Sequence, residues 1–167
     1  MSDIPCLGFI GRSNSGKTTL LEKLLGELGR RGYRVAVVKH TPQSNVETDF
    51  PGKDTRRLWD AGAAHTVLAT LDRVVHTRRC ATPPTLAEAL ATVGDVDLIL
   101  VEGYKRGNFP KIEVVRAARD PYLIPGIVGR IACVTDVPGL ACDGPRFDFA
   151  ALPALADFIE AEVLKGG

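Results

Sequence analysis

The sequence lacks the features that would tie a chain to nucleic acid or to a membrane. Its 21 Lys and Arg residues balance 20 Asp and Glu residues, and a formal net charge of +1 gives no general attraction to polyanions. No uninterrupted apolar stretch approaches the roughly 20 residues that a helix needs to span a bilayer. The first five residues also lack the basic start and apolar core of a signal peptide. We therefore expect a cytoplasmic, soluble protein that binds neither nucleic acid nor membrane.

Cysteine is scarce, and its spacing disfavours both a disulfide framework and a zinc site. The cysteines lie far apart, form no C-x-x-C pair and have no histidine at zinc-ligand spacing. They are Cys6, Cys80, Cys133 and Cys142. Because Cys6 and Cys133 lie in apolar runs, we expect them to be buried free thiols, as suits a reducing compartment.

The chain does have the composition of an ordinary globular domain. Apolar residues make up 45% and charged residues 25% of its 167 residues, which predicts one domain spanning 1–167. Residues 6–10 form a short apolar run, leucines between 20 and 28 recur at spacings of one, three and four, and 33–38 indicate a buried strand. Strand, helix and strand in this order predict a βαβ unit.

Further strands and helices alternate along the rest of the chain. We predict helices over 54–62, 86–93 and 151–164, and strands over 65–69, 73–77, 96–101, 111–115 and 131–134. Asp54 and Thr85 are candidate helix caps, and the stretch 111–115 alternates like a half-exposed strand. The pattern predicts an α/β fold: a three-layer P-loop NTPase domain whose mainly parallel sheet is flanked by helices.

A complete phosphate-binding loop connects the first strand to the first helix. Glycines at both ends let the backbone wrap closely around phosphate oxygens, and the helix N-terminus faces the anion. Lys17 is expected to reach the β- and γ-phosphates, and the Thr18 hydroxyl to ligate Mg²⁺. The predicted nucleotide-binding residues here are Gly11, Arg12, Ser13, Asn14, Ser15, Gly16, Lys17, Thr18 and Thr19.

A second metal ligand is expected at the end of another buried strand. Glu102 directly follows the apolar run 98–101 and precedes a glycine, so it is the first choice as a partner of Thr18. Asp54 ranks below it and Asp49 lower still, since a carboxylate in a polar loop is usually solvated or caps a helix.

Two polar residues, Arg12 and Asp136, each allow two interpretations of their role. Arg12 either contributes only its backbone N–H to phosphate or supplies a guanidinium across a subunit interface. Asp136 follows the strand 131–134 and could accept hydrogen bonds from guanine N1 and N2, or be a turn residue before Pro138. Because no Asn-Lys-x-Asp motif is present, the residues alone do not separate GTP from ATP.

Several segments together resemble the MobB family, the molybdopterin-guanine dinucleotide biosynthesis adaptors. They come in a recognisable order from about residue 7 to 159: the phosphate loop, Val-Lys-His-Thr at 38–41, Gly-Lys-Asp-Thr at 52–55, Ala-Gly-Ala at 61–63, Val-Glu-Gly-Tyr-Lys at 101–105, Lys-Ile-Glu at 111–113 and Thr-Asp-Val-Pro at 135–138. The last of these places Asp136 within the resemblance.

The resemblance implies a homodimeric, GTP- and Mg²⁺-binding protein with weak GTPase activity and no strong catalytic base. It also implies that the chain binds the molybdenum cofactor guanylyltransferase and other cofactor-assembly proteins as partners. Lys39, His40, Lys53 and Asp54 match further signature positions, and Glu102 falls near Mg²⁺. This chain departs from the family where Pro42 and Gln43 replace the histidines that often follow Lys-His-Thr.

Two other functions use the same loop. A small-molecule kinase would need an arginine-rich lid, for which Arg78 and Arg79 are the candidates. A nickel- or cobalt-delivery GTPase would need a segment rich in histidine or cysteine, and this chain has three histidines in all: His40, His65 and His76. An exposed strand at 111–115 or the hairpin-like stretch at 73–77 could supply the dimer interface.

Overall fold

The structure is a computed structural model that describes residues 4–44, 46 and 52–165. The chain divides into two compact units, of which the first holds Met1–Thr41 and Leu86–Gly167 and the second Pro42–Thr85. Among the described residues, no helix has the length and hydropathy that a membrane span requires. One domain over 1–167 stays a prediction.

The first unit is built around a sheet of six parallel strands, in the order β2-β5-β1-β6-β7-β8. Its strands are β1 (Cys6–Gly11), β2 (Val35–Lys39), β5 (Leu98–Glu102), β6 (Lys111–Val115), β7 (Arg130–Thr135) and β8 (Arg146–Phe147). Its helices are α1 (Lys17–Arg30), α3 (Leu86–Leu90) and α4 (Leu152–Ile159), and α4 continues as a π-helical turn, Glu160–Leu164. This confirms a mainly parallel sheet flanked by helices.

Helices α1 and α4 pack together against one face of the sheet. The leucine stripe of α1 is buried, as its spacing predicts, and shares a core with α4 and with alternate residues of the four central strands. Arg31, at the C-terminal end of α1, donates to Asp157 and Glu160 from Nη1 at 2.7 and 2.9 Å. Because its Nη2 also donates to the carbonyl oxygen of Pro153, one guanidinium fixes the register of the two helices.

Strand β6 differs from its prediction as a half-exposed strand. All five of its residues are buried, because β6 lies between β1 and β7 in the sheet interior. Its two charged residues have partners there: Lys111 donates to three main-chain carbonyl oxygens at 2.6–2.9 Å, and Glu113 accepts from Arg130 at 2.9 Å. The charged residues of β6 therefore face buried partners and not solvent. The prediction that this strand is an exposed edge available for a dimer interface is wrong.

The second unit contains a helix and a two-stranded antiparallel hairpin: α2 (Asp54–Asp60), β3 (His65–Ala69) and β4 (Val74–Arg78). Both strands are present, within one residue of their predicted bounds. Asp54 does not cap α2, because Lys53 occupies the N-cap position without a side-chain hydrogen bond and Asp54 is the first helical residue. An acidic side chain in the first turn still complements the helix dipole.

All four cysteines are free thiols, as predicted. Cys133 is buried in β7, but Cys6 is only half-buried because it is the first residue of β1. Helix α3 is shorter than its pattern suggests and ends at Leu90.

Candidate functional site

The loop between β1 and α1 leaves no room for a side chain at Gly11 and holds Gly16 in a left-handed conformation that favours glycine. A Cβ at Gly11 would overlap the carbonyl oxygen of Val114 in β6. Gly16, the N-cap of α1, has a φ of +87°, and a Cβ there would lie 2.8 Å from an Arg116 nitrogen. Asn14 also adopts a left-handed conformation, with a φ of +58°. The loop residues are therefore selected for a tight backbone turn that presents N–H groups at the start of a helix.

Lys17 ties this loop together from the first turn of α1. Its ammonium donates to the carbonyl oxygen of Arg12 at 2.6 Å, to that of Gly11 at 3.3 Å and to Ser15 Oγ at 3.4 Å. Burial lowers the pKa of Lys17, and the nearby carboxylate of Glu102 opposes that shift. The result is a positive charge held at the centre of the loop.

A polar cavity of about 520 Å³ opens in front of the loop. One side is formed by the loop and the start of α1: Ser13, Asn14, Gly16, Lys17, Thr18 and Thr19. The rest of the lining comes from three separate segments through Lys39, Glu102 and Arg119. The structure thus places six of the nine predicted loop residues, together with Lys39 and Glu102, around one space with cations on several sides. Gly11, Arg12 and Ser15 are not among the lining residues.

Glu102 faces Thr18 across the mouth of this cavity. The Thr18 hydroxyl lies 3.4 Å from each carboxylate oxygen of Glu102, and the Lys39 ammonium lies 3.4 Å from Oε2. The pairing of β2 with β5 sets Lys39 opposite Glu102. A hydroxyl and a carboxylate at this separation are the oxygen ligands that Mg²⁺ prefers, with phosphate oxygens and water completing its octahedron.

His40 supports the turn that follows Glu102. Its main-chain N–H donates to the Glu102 carbonyl oxygen at 2.9 Å, and its ring lies 4.5 Å from the ring of Tyr104. A Cβ at Gly103 would come within 3.1 Å of the Cβ of His40. His40 therefore packs against the Glu-Gly-Tyr segment and helps fix the direction of Glu102.

Arg12 and Asp136 are both engaged within the first unit. Arg12 forms an ion pair with Asp120 of the same chain and is not among the residues that line the cavity. Asp136 accepts from the Ala117 N–H at 2.7 Å and lies 3.7 Å from a nitrogen of Arg116. Asp136 is at the end of β7 but not among the residues that line the cavity, and its part in reading guanine stays a prediction.

The remaining predicted residues fall in or beside the second unit. Lys53 and Asp54 begin α2, and the Asp54 carboxylate is 92% exposed with Arg57 3.6 Å away. Their roles at a nucleotide or metal stay predictions, and Asp49 lies outside the described residues.

Sequence reasoning missed Arg119. Its segment, Arg-Ala-Ala-Arg-Asp at 116–120, has no apolar periodicity and resembles a solvated loop. What brings it to the cavity is the parallel pairing of β1 with β6, which sets the ends of these two strands side by side.

Comparison with known proteins agrees with this arrangement. The family model described as molybdopterin guanine dinucleotide synthesis protein B matches residues 6–136. The chain is 40% identical over 162 residues to a molybdopterin-guanine dinucleotide biosynthesis adapter protein of Haemophilus influenzae, covering 95% of this chain and 89% of that protein. The protein of the same description in Escherichia coli is 38% identical over 164 residues, with coverage of 93% and 91%.

Solved structures agree as well. The crystal structure of Bacillus subtilis MobB superposes with a TM-score of 0.76 at 25% identity, covering 96% of this chain and 98% of that one. A MobB homolog from Bacillus stearothermophilus gives a TM-score of 0.74 at 25% identity, with coverage of 97% and 99%.

Proposed function

The chain belongs to the molybdopterin guanine dinucleotide synthesis protein B family, and we propose that it acts in that pathway by holding GTP with Mg²⁺. Its function is that of an adaptor in the biosynthesis of molybdopterin guanine dinucleotide, as its relatives are named. The observation that carries the nucleotide proposal is the cavity in which the phosphate loop faces Glu102 across Thr18.

The residues around the cavity suit a nucleoside triphosphate and its metal. The backbone of the loop and the ammonium of Lys17 would take the phosphate oxygens, while Thr18 and Glu102 would hold Mg²⁺. When bound, Mg²⁺ would offset the charge of the β- and γ-phosphates. Lys39 lies beside Glu102 and adds a further cation at this end.

The same residues favour holding GTP over rapid turnover. Among the described residues that line the cavity, Glu102 is the only carboxylate, and it already faces Thr18 and Lys39. A carboxylate committed to a metal is a poor general base for an attacking water. We therefore assign this chain weak GTPase activity at most.

The kinase alternative gains no support from Arg79, one of the two arginines that suggested it. The Arg79 guanidinium donates hydrogen bonds to the carbonyl oxygen of Ala63, at 3.0 Å, and to the carbonyl oxygen of Trp59. It also lies 4.0 Å from the centre of the Trp59 ring. This side chain holds the second unit together and does not offer a free guanidinium to a phosphate.

Exposed apolar residues of the hairpin support our proposal that the chain forms a homodimer. We further propose that it works with cofactor-synthesis enzymes in the cytoplasm. Val67 and Val74 lie on one face of the hairpin and are 62% and 68% exposed, while Leu68 and Val75 lie on the opposite face and are both 42% exposed. Apolar side chains that share an exposed face mark contact sites for other proteins. We propose that a second copy of the chain covers this surface, and that the molybdenum cofactor guanylyltransferase is the adaptor's partner.

GTP titration with Mg²⁺ tests the nucleotide proposal. Lys17→Ala should abolish binding while leaving the fold intact, whereas Lys23→Ala, an exposed lysine of α1, should bind as the parent does. Hydrolysis should be slow and independent of any acceptor. Unchanged GTP affinity in Lys17→Ala would refute the site, and stoichiometric phosphate transfer to a small molecule would favour a kinase.

Co-purification with the guanylyltransferase, with and without GTP, tests the adaptor role. The two proteins should elute together, and Lys17→Ala should remove any dependence of the complex on GTP. Failure to associate under either condition would contradict the proposed partner.

A further inference from the structure

Three arginines surround the phosphate loop, and two of them are already neutralised. Arg12, in the loop itself, is ion-paired with Asp120. Arg116 lies 3.8 Å from the centre of the Phe149 ring and 3.7 Å from a carboxylate oxygen of Asp136. Both guanidinium groups therefore have partners within the fold.

Arg119 differs from both. Its side chain lines the cavity beside Ser13, Asn14 and Gly16. Within the part of the chain that the structure describes, its guanidinium forms no hydrogen bond or ion pair, and the nearby carboxylate of Asp120 is bound to Arg12 instead. A free guanidinium thus faces the cavity that the phosphate loop encloses.

The segment that carries Arg119 is anchored at several points. The Asp120–Arg12 ion pair ties it to the phosphate loop, and the N–H of Arg119 donates to the Arg116 carbonyl oxygen at 3.0 Å. Beyond it, Glu113 of β6 accepts from the Ile124 N–H at 2.7 Å and from Arg130 at 2.9 Å. Because both ends of the segment are held, the backbone delivers Arg119 to one place, which reduces the entropy lost when it binds a ligand.

The charge around Arg119 favours an anion. Lys17 and Lys39 also line the cavity, and Glu102 is its only carboxylate among the described residues. Glu102 lies within 3.4 Å of Lys39, which leaves Lys17 and Arg119 in excess. A planar guanidinium matches the spacing of phosphate oxygens and can bind two of them at once.

We propose that Arg119 binds the phosphate chain of the nucleotide held by this loop, as an arginine supplied by the same subunit. This inference rests on the proposed GTP binding and extends it: the phosphates would be gripped by the loop on one side and by the segment 116–120 on the other. The coupling of that segment to Arg12 makes it part of the phosphate site.

The test compares Arg119→Ala with Arg146→Ala, which removes an exposed arginine of β8 that does not line the cavity. Titration measures GTP affinity with Mg²⁺, and inorganic tripolyphosphate serves as a second probe that lacks base and ribose. Since a hydrogen bond to a charged group is worth about 1.5–3 kcal/mol, Arg119→Ala should weaken both ligands about tenfold or more. Arg146→Ala should change neither.

Two further readouts sharpen the result. Arg119→Lys keeps the charge but loses the planar fork, so it should recover part of the lost affinity. The salt dependence of tripolyphosphate binding should be shallower in Arg119→Ala, since one cation fewer contributes to the attraction.

The outcomes separate this inference from the function on which it rests. The inference would be overturned if Arg119→Ala bound both ligands as tightly as the parent does. It would also be overturned if the variant bound GTP more weakly but tripolyphosphate equally well, because that result indicates a contact with the nucleoside. If the parent protein binds tripolyphosphate but not GTP, the proposed function fails. The assignment of Arg119 is then decided by whether Arg119→Ala binds tripolyphosphate more weakly than the parent does. A parent that binds neither refutes both.

Discussion

The two sheets of this chain use similar apolar residues to opposite effect. In the six-stranded sheet, Phe9 of β1 and Leu100 of β5 are completely buried. In the hairpin, Val67 and Val74 are 62% and 68% exposed, although both lie within paired strands. An isolated two-stranded hairpin is marginal in water. The comparison teaches that the parallel sheet buries its own core and positions the phosphate loop, whereas the hairpin leaves apolar side chains exposed, which we propose a second copy of the chain covers.

Truncating one apolar side chain in each sheet should give the largest difference between the two regions in the free energy of unfolding. Phe9→Ala should lower the free energy of unfolding by about 3–5 kcal/mol, because it removes a fully buried aromatic ring and leaves a cavity. Val67→Ala should cost far less, and its effect should depend on protein concentration if the hairpin is covered by a second copy.

Urea denaturation at two protein concentrations measures both effects. The loss in Phe9→Ala should be the same at each concentration. A loss below about 1 kcal/mol in Phe9→Ala would mean that the core has relaxed around the gap, contrary to its assignment as the structural centre.

Ion pairs give the next largest contrast. Arg130 and Glu113 are 8% and 1% exposed at their side chains, whereas Asp72 and Arg73 of the hairpin turn are both 68% exposed. Arg130→Met should cost about 3 kcal/mol, because it leaves a buried carboxylate with only the Ile124 N–H as its partner. Asp72→Asn should change stability by less than about 1 kcal/mol, since exposed pairs contribute little.

Chemical denaturation of Arg130→Met and Asp72→Asn measures the loss of stability in each variant. Equal losses would show that the pair between β6 and β7 is as well solvated as the hairpin turn, which would contradict the burial of β6.

The sequence predicted the elements whose signals are local. The phosphate loop is a contiguous motif, and Glu102 follows an unbroken apolar run, so both could be located without knowing which strands are neighbours. Lys111 and Glu113 misled the prediction, because two of their partners, Val128 and Arg130, lie 17 residues further along the chain. Pairing with these groups, and not exposure to solvent, makes the burial of both charges tolerable.

Arg119 could not be found for a related reason. Nothing near it in the sequence marks a binding residue, and its position depends on β6 lying next to β1 rather than at the sheet edge. The strand order β2-β5-β1-β6-β7-β8 is a property of the whole chain, which a pass along the sequence does not supply.

The exposed surface of the hairpin can be tested by adding charge to it. Val67→Asp and Val74→Asp should convert the proposed dimer to a monomer, because a carboxylate in an apolar contact is costly to desolvate. Val128→Asp is the matched control, since Val128 is 75% exposed and lies in the first unit. Light scattering after size exclusion gives the mass of each variant. A dimer that survives both hairpin substitutions would remove the hairpin from the interface.

The mildest comparison changes no residue and follows the thiols of the two regions. Cys80 belongs to the second unit and is exposed, whereas Cys133 is buried in β7. Burial raises the pKa of Cys133 to about 12, with Cys142 adding to the shift. Since the thiolate is the reactive form, this upward shift keeps Cys133 protonated and poorly reactive at pH 8, even before access is considered.

Iodoacetamide at pH 8 should therefore label Cys80 first and Cys133 only after unfolding in urea, as mass spectrometry of the peptides would show. Equal labelling of the two in the native protein would contradict the burial of β7. The same experiment links back to the core, because reagent reaches Cys133 only when the sheet opens. Phe9→Ala should accordingly speed the labelling of Cys133 while leaving that of Cys80 unchanged, since the exposed Cys80 thiol is accessible without any opening of the six-stranded sheet.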